Sequence, residues 1–164
     1  MLNLSLHNTQ SADLEYVLEA ENHEENRPHI TPWSREQHLD AIASPHSSHW
    51  IIQRDSKVNL GYFIMAGLQD THQSIELVRL VITEKGQGHG KTTLELIKKL
   101  AFETYQAHRL WLDVKTHNHR AQAVYRKAGF VEEGILRECL KVGDRYESLI
   151  IMSMLQQEYQ SPHR

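Results

Sequence analysis

Several features that define other protein classes are absent or scarce in this sequence of 164 residues. A single cysteine, Cys139, excludes an internal disulfide, and we interpret it as a buried residue of a strand. No apolar run approaches the roughly 20 residues that a membrane-spanning helix needs, and the N-terminus lacks the basic start and the apolar run of a secretory signal. These absences predict a cytoplasmic protein with no membrane partner.

An excess of one charge and the common metal-binding motifs are also missing. The 18 Lys and Arg residues against 21 Asp and Glu give a formal net charge of -3, which offers no electrostatic reason to expect nucleic acid as a partner. The 12 histidines form no His-Glu-x-x-His motif, and the closest pairs, His46/His49 and His117/His119, lack a cysteine or a clear acidic third ligand. We therefore predict no metal site.

The length fits one domain spanning residues 1–164, and only four prolines interrupt it. They lie at positions 28, 32, 45 and 162, so we expect the regular body of the fold between residues 46 and 161. Before that body, residues 2–6 alternate as a strand, residues 11–21 have the apolar spacing of a helix, and residues 22–33 indicate a loop. Ser34 and Gln37 have the spacing of a capping box, which predicts a second short helix that ends at Ile42.

The later part of the chain predicts a sheet with two further helices. Three short segments rich in β-branched and aromatic residues, 50–53, 58–66 and 75–82, predict an antiparallel meander. The spacing of Leu94, Ile97 and Leu100 then predicts a helix, and residues 110–114 indicate an apolar strand that completes a βαβ unit. Another helix ends at Gly129, and residues 130–140 and 146–154 predict a closing hairpin. The pattern indicates an α/β fold with a mixed sheet.

The strongest local signal is a glycine-rich turn between a predicted strand and a predicted helix, in which Gly86, Gly88 and Gly90 alternate with other residues. Because these positions carry no side chains, successive backbone N–H groups can converge on an anion, and the helix N-terminus adds positive potential. The turn therefore indicates a phosphate cradle. The alternative interpretation is a flexible turn that only reverses the chain.

Two other phosphate-binding motifs fit this turn less well. A dinucleotide fingerprint requires a glycine where Lys91 stands. A nucleotide P-loop matches Gly90-Lys91-Thr92 and would place Asp113 on the magnesium side, but its first glycine would fall on Lys85. Too little chain follows Thr92 for the βα units that such a fold still requires. The P-loop stays a less favoured alternative.

A second constellation follows later in the chain. Asn118 is a natural helix N-cap, and Tyr125 lies two turns further along nearly the same helix face, so both can address one ligand. The glycine turn followed by Asn-x-x-Ala-x-x-x-Tyr-x-Lys-x-Gly-Phe resembles the GNAT superfamily of acyl-CoA-dependent N-acetyltransferases. Among its branches, residues 75–154 most resemble enzymes that acetylate polyamines and the N-termini of ribosomal proteins.

The resemblance implies a single-domain GNAT-like fold, with a mixed, mostly antiparallel, splayed β-sheet flanked by helices, and acetyl-CoA as acetyl donor. The backbone of the glycine turn would hold the pyrophosphate, and one strand edge would pair with the pantetheine arm. Lys85 stands where the family has Arg or Gln, so it keeps a charge but not the planar donor geometry. The implied coenzyme-binding residues are Leu80, Val81, Ile82, Lys85, Gln87, Gly88, His89, Gly90, Lys91, Asn118 and Lys127.

The resemblance also implies direct acetyl transfer to a primary amine in a ternary complex, the acceptor being a polyamine, a small amine or a protein N-terminus. Glu76 is the candidate general base, with a water relay as an alternative, and Tyr125 is the candidate acid for the departing thiolate. The N–H of Leu80, or of a residue beside it, is the candidate oxyanion donor. Carboxylates in residues 21–33 and in the closing hairpin would suit a cationic acceptor. Homodimerisation through the last strand is compatible with the family, and the non-enzymatic alternative is an acyl-CoA-binding regulatory module.

Overall fold

The computed structural model of the protein describes residues 3–161. Seven strands form one sheet: β1 (Leu4–Asn8), β2 (Ser47–Arg54), β3 (Val58–Ala66), β4 (Ser74–Ile82), β5 (Arg109–Lys115), β6 (Val131–Val142) and β7 (Arg145–Leu155). Five α-helices accompany them: α1 (Leu14–Asn22), α2 (Arg35–Ala43), α3 (His89–Lys99), α4 (His119–Lys127) and α5 (Gln156–Gln160). Within the described range, none of these helices is long and apolar enough to cross a membrane.

The strands are hydrogen-bonded in the order β1-β2-β3-β4-β5-β7-β6. Neighbouring strands are antiparallel except β4 and β5, which are parallel because α3 carries the chain back between them. This arrangement confirms the predicted meander, the βαβ unit and the closing hairpin. A sheet with one parallel pair does not fit the nucleotide P-loop alternative, whose core is parallel.

The two parallel strands separate soon after they pair. Their pairing ends with Glu76 opposite Trp111. Beyond that point β4 continues to Ile82 beside β3, while β5 continues to Lys115 beside β7. A gap therefore opens inside the sheet, and the backbone edge of β4 faces it without a strand partner. This is the predicted splay.

Apolar side chains form two cores, one on each face of the sheet. Ile51 and Ile52 are neighbours on β2 and belong to different cores, as alternation along a strand requires. The larger core packs α3 against the sheet through Leu94 and Ile97, both fully buried, and the smaller core packs α1 through the buried Leu14. The helical spacing used to predict α3 is therefore confirmed by its packing.

The ends of several elements differ from the sequence predictions. Residue 2, the predicted start of β1, lies outside the described residues. The predicted first helix begins with a 3₁₀ turn (Ser11–Asp13), where the Asp13 carboxylate accepts a hydrogen bond from Gln10 N at 2.7 Å. Ser34 and Gln37 form the predicted capping box, with Gln37 N donating to Ser34 Oγ at 3.1 Å. The predicted helix does include Leu100, but the chain there forms a π-helical turn (Leu100–Thr104), which the spacing did not predict. Helix α5 was not predicted either, because a segment of five residues carries too little periodicity.

The edge strand β6 is exposed over most of its length. Val131, Ile135 and Leu136 are each about half exposed to solvent. Cys139 is also exposed, so the prediction of a buried cysteine is wrong. The physical reason is that the register with β7 shifts between Leu136 and Leu140, and such a bulge leaves residues of the edge strand unpaired.

Candidate active site

A cavity of about 920 Å³ occupies the gap between β4 and β5. Its size lies within the range of small-molecule pockets. Most of the predicted coenzyme-binding residues line it together with Tyr125: Leu80, Val81, Ile82, Lys85, Gly88, His89, Gly90, Lys91, Asn118 and Lys127. Gln87 and Glu76 are not among the lining residues, and Gln87 is exposed.

The glycine turn leaves an open space above the N-terminus of α3. Gly88 is the N-cap of this helix, with φ 80° and ψ 4°, and no side chain caps the helix there. The N–H groups from His89 to Lys91 have no intrahelical acceptor, because they belong to the first helical turn. A Cβ on Gly88 would meet no protein atom within 4 Å. The turn can therefore offer several N–H groups and the positive helix end to one phosphate group.

Three cationic side chains line the cavity around this turn and α4. Lys91 lies in the first turn of α3, Arg120 in the first turn of α4 and Lys127 in its last turn. Arg120 Nη2 lies 4.0 Å from the position that a Cβ would take on Gly86. Sequence reasoning missed Arg120, although its place two residues after the Asn118 N-cap was an available signal. Three cations beside free N–H groups suit a polyanionic ligand.

Two predicted coenzyme-binding residues, Lys85 and His89, direct their side chains into contacts within the protein. Lys85 Nζ donates to Asn26 Oδ1 at 2.7 Å and to the Ile82 carbonyl at 3.0 Å, and burial lowers the pKa of this ammonium group. The His89 ring is buried, with Nε2 3.5 Å from a carboxylate oxygen of Glu84. The His89 ring therefore packs inside the protein, and only its backbone N–H is left for a ligand.

Helix α4 presents Asn118 and Tyr125 to the cavity. Asn118 Oδ1 accepts from Ala121 N at 3.2 Å, which leaves the side-chain amide N–H groups for a ligand. The Tyr125 ring packs edge-on against Phe130, with 5.9 Å between ring centroids. Burial, and then the charge of Asp113, raises the pKa of the Tyr125 hydroxyl to about 12. The hydroxyl is therefore protonated at neutral pH and can donate a proton.

Glu76 of β4 and Asp113 of β5 lie close together where the two strands separate. Burial, and then the neighbouring Asp113 charge, raises the pKa of Glu76, and burial also raises the pKa of Asp113 although Arg79 opposes it. Among residues 3–161 neither carboxylate forms an ion pair, and no third ligand joins them to complete a metal site. Asp113 lines the cavity, whereas Glu76 does not. Sequence reasoning considered Asp113 only for the P-loop alternative and therefore missed this pair.

The segment 23–33, between α1 and α2, forms one wall of the cavity. Its lining residues are Glu25, Asn26, His29, Ile30 and Thr31. The buried Lys115 of β5 holds this wall, because its Nζ donates to the Pro28 carbonyl at 3.2 Å and pairs with Glu147 at 2.9 Å. The three hairpin carboxylates that the sequence suggested for an acceptor, Glu138, Asp144 and Glu147, do not line the cavity.

Comparisons with known proteins agree with this geometry. A family model described as an acetyltransferase (GNAT) domain matches residues 3–131. The chain is 25% identical over 167 residues to the spermidine N(1)-acetyltransferase of Vibrio cholerae, with 95% of each chain covered. It is 25% identical over 151 residues to a Bacillus subtilis protein named for alanine N-acetylation of a ribosomal protein, with 90% of this chain and 93% of the relative covered.

Solved structures show the same fold. The crystal structure of the Vibrio cholerae spermidine N-acetyltransferase in complex with CoA and spermine has a TM-score of 0.86 at 23% identity, over 96% of this chain and 98% of that chain. A dodecameric structure of the same enzyme has a TM-score of 0.83 at 23% identity, over 98% of each chain. At these identities the likeness shows the architecture, and the chemistry is argued from the residues of this chain.

Proposed function

The chain belongs to the GNAT acetyltransferase family and is an acetyl-CoA-dependent N-acetyltransferase, and we propose that its acceptor is a cationic amine of the polyamine class bound beside Asp113. One observation carries this acceptor class: Glu76 and Asp113 are neighbouring carboxylates without an ion-pair partner among the described residues. The named activity of the Vibrio cholerae relative, acetylation of spermidine, supports the same class.

The donor side of the proposal rests on the glycine turn and on the edge of β4. The pyrophosphate of acetyl-CoA binds the N–H groups of residues 87–91, with Lys91, Arg120 and Lys127 supplying positive charge. The pantetheine arm lies in the gap beside Leu80, Val81 and Ile82 and pairs with their backbone as an added strand. In this arrangement the Asn118 side-chain amide donates to a carbonyl of the arm.

The acceptor side of the proposal rests on the balance of charge around Asp113. Arg79 and Lys115 line the cavity together with Asp113, and each is paired with a carboxylate of its own, Glu21 and Glu147. The uncompensated charge there is therefore negative, and it attracts an ammonium group. A second ammonium of a polyamine finds Glu25, an exposed carboxylate of the 23–33 wall that also lines the cavity.

In the proposed mechanism, Glu76 or Asp113 accepts a proton from the bound ammonium, because only about one alkyl amine in a thousand is uncharged at neutral pH. The amine nitrogen then forms a bond to the thioester carbon while the Leu80 N–H stabilises the developing oxyanion. The carbon–sulfur bond breaks, and Tyr125 gives its proton to the departing thiolate. The nitrogen of the new amide loses its second proton to water, and Tyr125 regains a proton from water. No acetyl-enzyme forms in this scheme.

A second acceptor class, the N-terminus of a protein, is favoured by the Bacillus subtilis relative. An α-amino group presents one positive charge, whereas a polyamine presents several. Binding of a polyamine therefore depends more strongly on the carboxylates that line the cavity. A thiol-release assay with acetyl-CoA and a panel of spermidine, putrescine, amino acids, aminoglycosides and alanine-initiated peptides separates them. Turnover highest with a polyamine supports the proposal, and turnover with peptides alone replaces it with protein N-terminal acetylation.

The last strand, β7, lies between β5 and β6 in the sheet, so dimerisation through it, as expected from the sequence, has no free strand edge. We also propose that the chain forms a homodimer through β6 instead. This edge strand exposes Val131, Ile135 and Leu136, and an unpaired strand edge with apolar side chains favours association with a second copy. The dodecameric assembly of the Vibrio cholerae relative supports an oligomeric state for this fold.

A further inference from the structure

A fully buried carboxylate, Glu21, lies at the C-terminal end of α1, outside the contacts that the proposed reaction uses. Its oxygens accept hydrogen bonds from Tyr62 Oη at 2.6 Å, from Trp33 N at 3.2 Å and from the Arg79 guanidinium. His38 Nε2 lies 3.0 Å from the same carboxylate. Burial works to raise the pKa of Glu21, but these contacts together hold it below its usual value. Glu21 is therefore a buried anion that organises its surroundings.

Arg79 connects Glu21 to residues that line the cavity. It lies on β4 where the register with β3 shifts, and its guanidinium donates to Glu21 through Nη1. Through Nη2 it donates to the Thr31 carbonyl at 2.6 Å, and its Cζ lies 5.2 Å from the centroid of the Trp33 ring. One guanidinium thus joins a core carboxylate to two residues of the 23–33 wall, and Arg79 itself lines the cavity.

Glu21 and Arg79 together hold the C-terminal half of the 23–33 wall, while other contacts hold its N-terminal half. Trp33 N donates to Glu21 and the Thr31 carbonyl accepts from Arg79, so both contacts lie within three residues of each other along the chain. Asn26, nearer the start of the wall, donates to the Ala20 carbonyl at 2.7 Å. Between these anchors Ile30 and its neighbours face the cavity.

We propose that the buried Glu21–Arg79 pair is a positioning device, which fixes the 23–33 wall and thereby determines the affinity for the amine acceptor without contacting the coenzyme. This inference rests on the proposed function, since it assigns the wall to the acceptor side. The wall contributes Glu25 and Thr31 to the cavity, whereas the phosphate cradle belongs to the turn before α3 and shares no hydrogen bond with the pair. The wall meets the glycine turn in its N-terminal half, where Asn26 Oδ1 accepts from Lys85 Nζ at 2.7 Å, whereas the pair holds Thr31 and Trp33. Displacement of the C-terminal half of the wall therefore changes amine binding more than it changes the cradle.

The substitution Arg79→Lys tests the bridge most directly. A lysine keeps a positive charge for Glu21 but has a single ammonium in place of the planar fork that reaches two acceptors. We expect the KM for the amine to rise about tenfold, because small displacements of positioning groups cost binding and rate steeply. The KM for acetyl-CoA is expected to stay within about twofold, since Arg79 forms no hydrogen bond with the glycine turn.

Tyr62→Phe is the matched control, because it removes a hydrogen bond to the same carboxylate but no link to the wall. We expect it to lower Tm by about 2–4 °C and to leave the amine KM unchanged. If Tyr62→Phe raises the amine KM as much as Arg79→Lys does, the effect is general loss of core stability and the positioning role is wrong.

Amide hydrogen exchange of the free protein decides the same question without any turnover. Peptides covering residues 23–33 are expected to exchange about tenfold faster in Arg79→Lys, whereas peptides covering residues 85–92 are expected to match the parent protein. Unchanged exchange in the wall overturns the proposal even if KM changes. If the parent protein acetylates no amine, the proposed function fails, and the exchange result still shows whether the pair holds the wall.

Discussion

Glu76 of β4 lies opposite Trp111 of β5, and this pair is the last one that the two parallel strands make. From here the strands diverge around the cavity, so a carboxylate stands at the closed end of the gap. Asp113, two residues after Trp111, brings a second carboxylate to the same place and lines the cavity. The end of strand pairing therefore brings Glu76 and Asp113 together, with Asp113 lining the cavity and Glu76 behind that lining.

Asp113→Asn is expected to weaken amine binding and to shift the acid side of the pH–rate profile. The charge of Asp113 raises the pKa of Glu76, so its removal lowers that pKa, and the base ionises at lower pH. We expect the rise of kcat/KM with pH to begin at lower pH, together with an amine KM raised about tenfold or more. Steady-state kinetics over the range from about pH 5 to 9 measures both.

Asp40→Asn is the control for this experiment, because Asp40 is an exposed carboxylate of α2 that does not line the cavity. It is expected to reproduce the parent profile. An Asp113→Asn profile that coincides with the parent profile, at an unchanged amine KM, would exclude Asp113 from the acceptor site. In that case Glu76 would remain as the candidate general base, and Glu76→Gln would test it.

Tyr125→Phe is expected to lower kcat by about 10²- to 10⁴-fold with little change in acetyl-CoA affinity. The pKa of Tyr125, raised to about 12, keeps its hydroxyl protonated, so the parent protein has a proton donor for the thiolate at every pH of the assay. Tyr159→Phe is the matched control, since Tyr159 donates to Glu103 at 2.6 Å and does not line the cavity. Equal kcat in Tyr125→Phe and the parent at saturating substrates would refute the acid role.

Gly88→Val is expected to weaken acetyl-CoA binding strongly. The residue has φ 80°, and its Cβ position is free of protein atoms, so an added side chain would occupy the space above the cradle. Gly143→Val is the matched control, because Gly143 also has positive φ, at 62°, and open space around it but lies in the β6–β7 turn. We expect similar losses of stability in both variants and a loss of acetyl-CoA affinity only in Gly88→Val.

Isothermal titration with acetyl-CoA, after circular dichroism has shown that both variants are folded, measures this difference. Equal acetyl-CoA affinity in the two glycine variants would show that the turn does not cradle the pyrophosphate. The comparison removes backbone strain as an explanation, because both positions require the left-handed conformation.

Much of this fold follows from periodicity and turn residues, whereas the acceptor side does not. The spacing of Leu94 and Ile97 and the glycine turn predicted α3 and the cradle, because both signals are local in sequence. Cys139 was placed in a core since a strand pattern does not reveal which strand is at the edge. Asp113 was overlooked because its partner, Glu76, is joined to it only by the pairing of β4 with β5.

The Glu21 network could not be predicted for the same reason. Its members come from α1, α2, β3 and β4, and each is separated from the others by many residues of chain. From the sequence alone, a glutamate in a predicted helix is expected to be exposed to solvent. Its burial depends on how α1 packs on the sheet, which no short-range pattern contains.

The unfolding free energy is expected to rise with pH between about 4 and 6.5 because of His49. Burial, and then the charge of His38, lowers the pKa of His49 from 6.5 to about 4. In this window the unfolded chain binds a proton at His49 that the folded protein does not, so stability increases as pH rises, by on the order of 3 kcal/mol across the window.

Urea unfolding of the parent protein and of His49→Gln at several pH values measures this contribution. We expect the variant to have a smaller pH dependence between about pH 4 and 6.5, while His72→Gln, at an exposed position, keeps the parent dependence. The same pH dependence in all three proteins would contradict the buried neutral state of His49.

Ile135→Lys is expected to dissociate the proposed homodimer. A lysine at this half-exposed position of β6 places charge on the strand edge, and charged edge residues oppose strand-to-strand association. Val58→Lys is the control, because Val58 is 42% exposed but lies on β3, away from the β6 edge. Sedimentation of the parent and both variants tests this, and a monomeric parent protein would contradict the dimer.

The most direct test of the account is mass spectrometry of the acceptor after incubation with isotope-labelled acetyl-CoA. Spermidine and an alanine-initiated peptide are supplied together, with the parent protein and with Asp113→Asn. We predict that the parent protein places the labelled acetyl group on a nitrogen of spermidine in preference to the peptide, and that Asp113→Asn loses most of this preference. Label on the peptide alone, or the same preference in both proteins, would contradict a cationic amine bound beside Asp113.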